Sequence, residues 1–130
     1  MRAVEIMLVD KHTLFRKVLR QVLEQEAGVV VVAEAADGWT AQDLAEELRP
    51  DLVVMELCIP LSNGITTSEA ITRKCPGTKV IILTMYDVDG WTSAAIEAGA
   101  VGCLAKTSSA AQLMAAVLAA GYRPLTEGSD

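Results

Sequence analysis

The chain has 130 residues, 52% of them apolar and 22% charged, which indicates one folded domain and excludes a disordered or low-complexity chain. Its formal net charge of −6 is the wrong sign for a surface that binds nucleic acid through phosphates, so we expect no direct nucleic-acid contact. No apolar stretch approaches the roughly 20 residues that cross a bilayer, and Glu5 and Asp10 interrupt any signal peptide. We therefore expect a cytoplasmic protein without a membrane segment.

Short apolar runs of strand length alternate with helical patterns along the chain. The runs begin at Val4, Val29, Leu52, Lys79 and Val101. The first predicted helix has one apolar face and is closed by Gly28. That face carries Leu14, Phe15, Val18, Leu19, Val22 and Leu23. The second helix begins near Asp37 and ends before Pro50. Its inward residues are Ala41, Leu44, Ala45 and Leu48.

Pro and Gly also bound the later helices. The third ends near Pro76, the fourth near Ala98, and the fifth spans about Ser109 to Ala120, before Gly121 in a left-handed closing position. Strands that are apolar on both faces and alternate with helices indicate a parallel sheet covered on both sides. Five such units are too few for an eight-unit barrel, so the sequence predicts an open, doubly wound α/β sheet.

Polar residues at the strand ends are the candidates for chemistry, because the functional crevice of an open α/β sheet lies beyond the carboxyl ends of its strands. The pattern places Asp10, Lys11, Glu56, Thr84 and Lys106 there. Glu56 interrupts an apolar run, where a buried carboxylate needs a cation or hydrogen-bond donors. Lys11 and Lys106 are the candidate cations.

Several blocks in fixed order resemble a known family. They are Leu8-Val9-Asp10-Lys11-His12, Glu34-Ala35-Ala36-Asp37-Gly38, Arg49-Pro50-Asp51-Leu52-Val53-Val54-Met55, Ile82-Leu83-Thr84-Met85-Tyr86-Asp87, Ala98-Gly99-Ala100 and Lys106. The chain resembles the receiver domains of two-component response regulators, especially those that precede a LuxR-type helix-turn-helix output domain. The resemblance implies a flavodoxin-like (βα)5 fold with strand order 2-1-3-4-5, a receiver domain over residues 1–120, and a linker or tail over residues 121–130.

The resemblance also implies a phosphorylation switch. In similar proteins two acids after the first strand and an acceptor Asp on the third hold Mg²⁺. The acceptor takes a phosphoryl group, which a Thr or Ser and a Lys then bind. Asp10 matches the first acid, Thr84 the hydroxyl and Lys106 the lysine.

Three positions depart from that pattern. Lys11 stands in place of the second acid, Glu56 in place of the acceptor Asp, and Cys103 in place of an aromatic ring that changes position in the switch. An ammonium about 4 Å from Glu56 would contribute roughly 4 kcal/mol at an effective dielectric near 20, and it would repel Mg²⁺. We therefore expect Lys11 to supply the charge that the metal supplies in relatives, with metal binding weak or absent. The longer Glu56 side chain should project toward Thr84 and Lys106.

These departures favour a phosphorylation-independent regulatory module. One alternative is a conventional Mg²⁺-dependent receiver in which Glu56 is an engineered or tolerated replacement, and another is a receiver that senses a small molecule in the crevice. An enzyme of the haloacid-dehalogenase kind fits worse, because Glu56 and Cys58 stand where it needs Asp. The resemblance implies a homodimer, through the first helix or the face of the fourth and fifth, and a DNA-binding output domain outside this chain.

The three cysteines are odd in number and lack metal-type spacing. We expect Cys58, Cys75 and Cys103 to be small apolar side chains in a reducing compartment.

Overall fold

The computed structural model describes residues 3–86 and 88–121, and within them five strands alternate with five helices. The strands are β1 (Val4–Val9), β2 (Val29–Ala35), β3 (Leu52–Glu56), β4 (Lys79–Thr84) and β5 (Gly102–Ala105). The helices are α1 (Thr13–Glu24), α2 (Gly38–Leu48), α3 (Gly64–Lys74), α4 (Val88–Glu97) and α5 (Ala110–Gly121). All strand pairs are parallel, in the order β2-β1-β3-β4-β5, which confirms the predicted doubly wound, flavodoxin-like fold.

The central strands are buried on both faces. Every residue of β3 and the last four residues of β1 are buried. Because side chains alternate along a strand, they enter two separate cores, one on each side of the sheet. The core under α2, α3 and α4 includes Met7, Val9, Val53, Met55, Val80 and Ile82. The core under α1 and α5 includes Ile6, Leu8, Leu52, Val54, Ile81 and Leu83. Each such side chain stabilises the fold by about 1.5–3 kcal/mol relative to an exposed one.

The helix ends follow the capping residues of the sequence. Asp37 caps α2 by accepting a hydrogen bond from the backbone N–H of Thr40, and Asn63 caps α3 in the same way through Thr66. Arg49 closes α2 in the left-handed region with φ 48°, one residue before the proline. Helix α5 includes Gly121 rather than stopping before it, and residues 122–130 of the predicted tail lie outside the described residues.

The predicted apolar face of α1 is only partly buried. Leu19 and Leu23 are buried, whereas Leu14 is 74% exposed and Val18 is 51% exposed. Residues at i and i+4 form two adjacent rows on a helix, and in α1 only the row that includes Leu19 and Leu23 faces the sheet. Leu48, at the end of α2, is likewise 38% exposed rather than turned inward.

The strand order brings four chain segments together at one edge of the sheet. Strands β1 and β3 are neighbours, with β2 and β4 on their outer sides, so the topological switch point lies between β1 and β3. Asp10 and Lys106 directly follow β1 and β5, while Glu56 and Thr84 are the last residues of β3 and β4. Across the described residues, the helices are too short or too polar to span a membrane.

Candidate functional site

Two carboxylates and one ammonium meet at the carboxyl edge of the sheet. Lys106 Nζ lies 2.6 Å from Asp10 Oδ2 and 2.9 Å from Glu56 Oε1. All three side chains are almost fully buried, with 4–6% of each exposed. Two neighbouring buried carboxylates would be costly if left unpaired, and the ammonium between them supplies the opposite charge. Formally the cluster has a charge of −2 + 1 = −1.

The surroundings of Lys106 favour its charged form. Burial by itself lowers the pKa of the ammonium, but hydrogen bonding and charge attraction from Asp10 and Glu56 outweigh burial and raise the pKa above its usual value. The ammonium also lies 4.3 Å from the centre of the Phe15 ring, in a cation–π contact. The ion pair with Asp10 is short, although the ammonium is less well aligned with Asp10 Oδ2 than with Glu56 Oε1.

Residues of the β1–α1 segment fix the orientation of Asp10. Its other oxygen, Oδ1, accepts a hydrogen bond from the backbone N–H of His12 at 2.8 Å and lies 3.1 Å from His12 Nδ1. The guanidinium of Arg16 donates to the backbone carbonyl of Asp10 and pairs with Glu34 of β2 at 2.9 Å. Burial raises the pKa of Glu34, but hydrogen bonds from Arg16 and Arg20 outweigh it and lower the pKa overall. Asp10 is thus held from both its side chain and its backbone.

Glu56 and Thr84 are each held by the loop that follows their strand. Glu56 Oε2 accepts a hydrogen bond from the backbone N–H of Cys58 at 3.3 Å, and Thr84 Oγ1 accepts one from the N–H of Tyr86 at 2.9 Å. The described hydrogen bonds do not join Glu56 to Thr84, so the longer acid reaches Lys106 but not the hydroxyl. Gly64 permits this arrangement, because a Cβ there would lie 2.9 Å from the backbone oxygen of Glu56.

Lys11 does not take the position expected from the sequence. Its side chain is exposed, and across residues 3–86 and 88–121 it forms no ion pair or hydrogen bond. Lys106, which follows the edge strand β5, is the cation that contacts both Asp10 and Glu56. The reason is geometric, since Lys11 lies at the turn into α1 while Lys106 follows β5 directly and extends over the strand ends. The ion pair with Glu56 is therefore made by the residue that the resemblance matches to the family lysine, and not by Lys11.

Cys103 lies on β5 and packs against the core under α4. It is half-buried, and burial raises the pKa of its thiol. All three cysteines are free thiols. Cys75 is buried as expected, whereas Cys58 is exposed because it lies in the loop after β3, beyond the sheet.

Sequence reasoning overlooked His12 and Phe15 as members of this site. His12 Nδ1 lies 3.4 Å from Lys106 Nζ at the exposed rim of the cluster, and the Phe15 ring covers the ammonium. His12 lies two residues after Asp10, which is the available signal for its place at the site. The residue pattern predicts Phe15 only on the apolar face of α1 and gives no sign of its contact with the ammonium.

Comparison with known proteins identifies the family. The profile of the response regulator receiver domain matches residues 6–118. The chain belongs to the response regulator receiver family. This receiver is 40% identical over 115 residues to the nitrate/nitrite response regulator protein NarP of Escherichia coli (strain K12), a match that covers 88% of this chain and 54% of NarP.

Other relatives agree in fold and differ in length. Protein CcdB of Bacillus subtilis (strain 168) is 37% identical over 112 residues, which cover 86% of this receiver and 92% of CcdB. The signal receiver domain of the response regulator NarL from Mycobacterium tuberculosis has a TM-score of 0.86 at 30% identity, covering 95% of this receiver and 100% of that chain. This receiver spans about half the length of several curated relatives, among them NarP and the transcriptional regulatory proteins DegU and LiaR.

The donor set of this receiver does not fit the Mg²⁺ that the resemblance implies. Hard Mg²⁺ favours carboxylate oxygens, but the position of the second acid is an exposed lysine. The two remaining carboxylates, Asp10 and Glu56, already share the ammonium of Lys106. Among the described residues, no group of three or more His, Cys, Asp or Glu side chains is placed to hold a metal ion.

Proposed function

We propose that this receiver is a phosphorylation-independent and metal-free regulatory module. The observation that carries the proposal is that an exposed Lys11 stands in place of the second acid, while the carboxylate of Glu56 is held 2.9 Å from Lys106 Nζ. Two carboxylates therefore remain in the pocket, Asp10 and Glu56, and Lys106 pairs with both of them. With one acid fewer than the resemblance implies, the pocket attracts an inorganic cation more weakly.

The environment of Glu56 supports the absence of phosphoryl transfer. One oxygen of Glu56 contacts Lys106 and the other accepts the N–H of Cys58, so both lie within the cluster rather than free to attack a phosphodonor. In-line transfer also depends on positive charge that positions and neutralises the incoming phosphoryl group. The cation present here is already shared by two acids. Relatives of this receiver are signal-transduction regulators rather than enzymes, and we assign no catalytic residue.

Intact mass spectrometry tests this proposal directly. The chain is incubated with acetyl phosphate and Mg²⁺, and we expect no gain of a phosphoryl group. The matched control is the variant Lys11→Asp/Glu56→Asp, which restores Asp at two of the three departing positions and should gain one phosphoryl group under the same conditions. A stoichiometric gain by the unaltered chain that is lost in Glu56→Gln would contradict the proposal.

We further propose that this domain controls transcription through an output domain outside residues 3–121, in the cytoplasm and as a homodimer. Support comes from the names of relatives such as the transcriptional regulatory proteins DegU and LiaR, of which this chain spans about half. The exposed Leu14 and Val18 on α1 offer one dimer face, and the exposed residues of α4 and α5 offer the other. Sedimentation equilibrium of the unaltered chain and of Val18→Lys distinguishes the two dimer faces, because a dimer through α1 should dissociate in the variant. A monomer at every concentration would refute dimerisation by this domain.

A further inference from the structure

A groove of about 660 Å³ opens beside the carboxylate–ammonium cluster, between the start of α3 and the α4 side of the sheet. It is separate from the cluster, and neither Asp10 nor Lys106 lines it. Residues that contribute to its walls are Leu57, Cys58, Asn63, Ile65, Tyr86 and Trp91. A volume of this size is typical of small-molecule sites, which usually enclose about 300–1,000 Å³.

The lining of the groove selects for an uncharged ligand. The chain contains 11 basic and 17 acidic side chains, yet none of the described residues that line the groove is Asp, Glu, Lys, Arg or His. Aliphatic and aromatic groups dominate, while Asn63 adds a polar group at the start of α3. A charged ligand would lose its hydration without gaining a partner of opposite charge.

Two exposed aromatic side chains line the groove, and their polar groups have no hydrogen-bond partner among the described residues. Trp91 is 40% exposed and Tyr86 is 63% exposed, although large aromatic side chains are usually more buried. The indole N–H of Trp91 and the hydroxyl of Tyr86 form no hydrogen bond with any described residue. Aromatic side chains with free polar groups favour ligands that stack on the ring and accept or donate at its edge.

We propose that this groove binds a small, neutral, planar aromatic molecule carrying a hydroxyl or carbonyl group. The proposal rests on the proposed function, since a receiver that does not respond to phosphate requires a different input. The planar part of the ligand stacks on Trp91 and Tyr86 and covers Leu57 and Ile65. Its polar group bonds to the free indole N–H or to the Asn63 side chain.

The backbone connects this groove to the cluster through two hydrogen bonds. The N–H of Cys58, which lines the groove, donates to Glu56, and the N–H of Tyr86, another lining residue, donates to Thr84. A ligand that moves Cys58 or Tyr86 therefore moves Glu56 of the cluster or the adjacent Thr84. The groove is thus both a binding site and an input to Glu56 and Thr84.

An NMR titration of the full ¹⁵N-labelled chain with 2-naphthol tests the binding. We expect a saturable shift of the Trp91 indole N–H and of the Cys58 and Tyr86 amides, with no matching shift at Trp39, which is also exposed but outside the groove. Alkylation of the exposed Cys58 thiol should slow severalfold at saturation. Naphthalene-2-sulfonate, the charged analogue, should bind at least about tenfold more weakly, because its sulfonate finds no cation in the groove.

A variant that fills the groove provides the specificity control. Ala94 lines the groove, so the variant Ala94→Phe places an aromatic ring in it. The affinity for 2-naphthol should fall at least about tenfold, because the introduced ring occupies the stacking site. The matched control Ala111→Phe, on the exposed surface of α5, should bind as the unaltered chain does. Unchanged binding of 2-naphthol in Ala94→Phe would overturn the proposal. Chemical shifts that depend on protein concentration and not on 2-naphthol would also overturn it, because they would assign the groove to a second copy of the chain.

Phosphoryl incorporation is measured by mass on the same sample, which separates the two proposals. Saturable binding together with a gained phosphoryl group refutes phosphorylation independence alone. Absence of both refutes only the ligand site.

Discussion

The substitution Lys106→Met removes the cation of the cluster while preserving much of the side-chain volume. It leaves Asp10 and Glu56, each about 95% buried, without a partner of opposite charge. Breaking a buried ion pair by removing one partner costs about 3–5 kcal/mol, a large part of the 5–15 kcal/mol that stabilises a typical domain. We therefore expect the free energy of unfolding to fall by about 3–5 kcal/mol, and less in Glu56→Gln/Lys106→Met, where one of the stranded charges is also removed.

The raised pKa of Lys106 determines the pH at which its contribution to stability should be measured. A group with a raised pKa in the folded state contributes its stabilisation fully below its unfolded pKa and loses it as pH rises through the folded value. Urea denaturation followed by circular dichroism at pH 7 therefore measures the whole effect. Lys11→Met is the matched control, and because Lys11 is exposed and unpaired within the described chain, it should change stability by less than about 0.5 kcal/mol.

Mg²⁺ binding gives a second comparison between Lys106→Met and the unaltered chain. Without the ammonium the cluster carries −2, so Lys106→Met should bind Mg²⁺ more tightly than the unaltered chain does. If the ion binds with a Kd of about 1 mM, 10 mM Mg²⁺ restores about 1.4 kcal/mol to the variant. Equal stabilisation of the unaltered chain by Mg²⁺, or a loss below about 1 kcal/mol in Lys106→Met, would refute the argument that the Lys106 ammonium neutralises Asp10 and Glu56 and weakens Mg²⁺ binding there.

Substitutions of Arg16 and Asp37, each compared with a second variant, test the supports of the site and the fold. Arg16→Ala should lower the free energy of unfolding by about 1.5–3 kcal/mol in urea denaturation, because Arg16 bonds the Asp10 carbonyl and Glu34. The control Arg20→Ala should lower it by at most about 1 kcal/mol, because Arg20 is more exposed. Equal losses in the two variants would contradict the role given to Arg16. Asp37→Ala should cost about 1 kcal/mol through loss of the α2 cap. Hydrogen bonding from the backbone N–H of Thr40 lowers the pKa of Asp37, so its charge-dependent stabilisation is present above the ordinary pKa and is lost as pH falls through the lowered value. Asp37→Asn should lack that acid-dependent component in stability measured from pH 5 to pH 2, and an identical pH profile would contradict the assignment.

Most of the fold could be predicted because local signals and the tertiary arrangement agree. Four of the five strands begin at the predicted residues, and the fifth begins at Gly102, one residue after Val101. Gly28, with φ 93°, lies between α1 and β2, but it does not close the helix as predicted, because α1 ends at Glu24 and is capped at Gln25. Periodicity cannot say how much of an apolar face is covered, because that depends on the neighbouring sheet. Leu14 and Val18 were therefore assigned to the core and are exposed.

The site was harder to predict than the fold. Strand order placed Asp10, Glu56, Thr84 and Lys106 at one edge, but it could not show which lysine reaches the acids. That choice depends on where each side chain leaves the backbone: Lys11 leads into a helix at the surface, whereas Lys106 lies where β5 ends beside Thr84. The position of Phe15 over the ammonium depends on the packing of α1 and has no signature in residue spacing.

Lys106 also determines how the edge of the sheet can open. Strand β5 has one neighbouring strand, β4, and is only four residues long, so on its own it would be expected to fray. Detachment of β5 would withdraw the Lys106 ammonium and leave the carboxylates of Asp10 and Glu56 unpaired. Local opening of β5 is therefore coupled to the stability of β1 and β3. The last βα unit should therefore exchange its amide hydrogens in step with the central strands. In Lys106→Met the same unit becomes free to open independently.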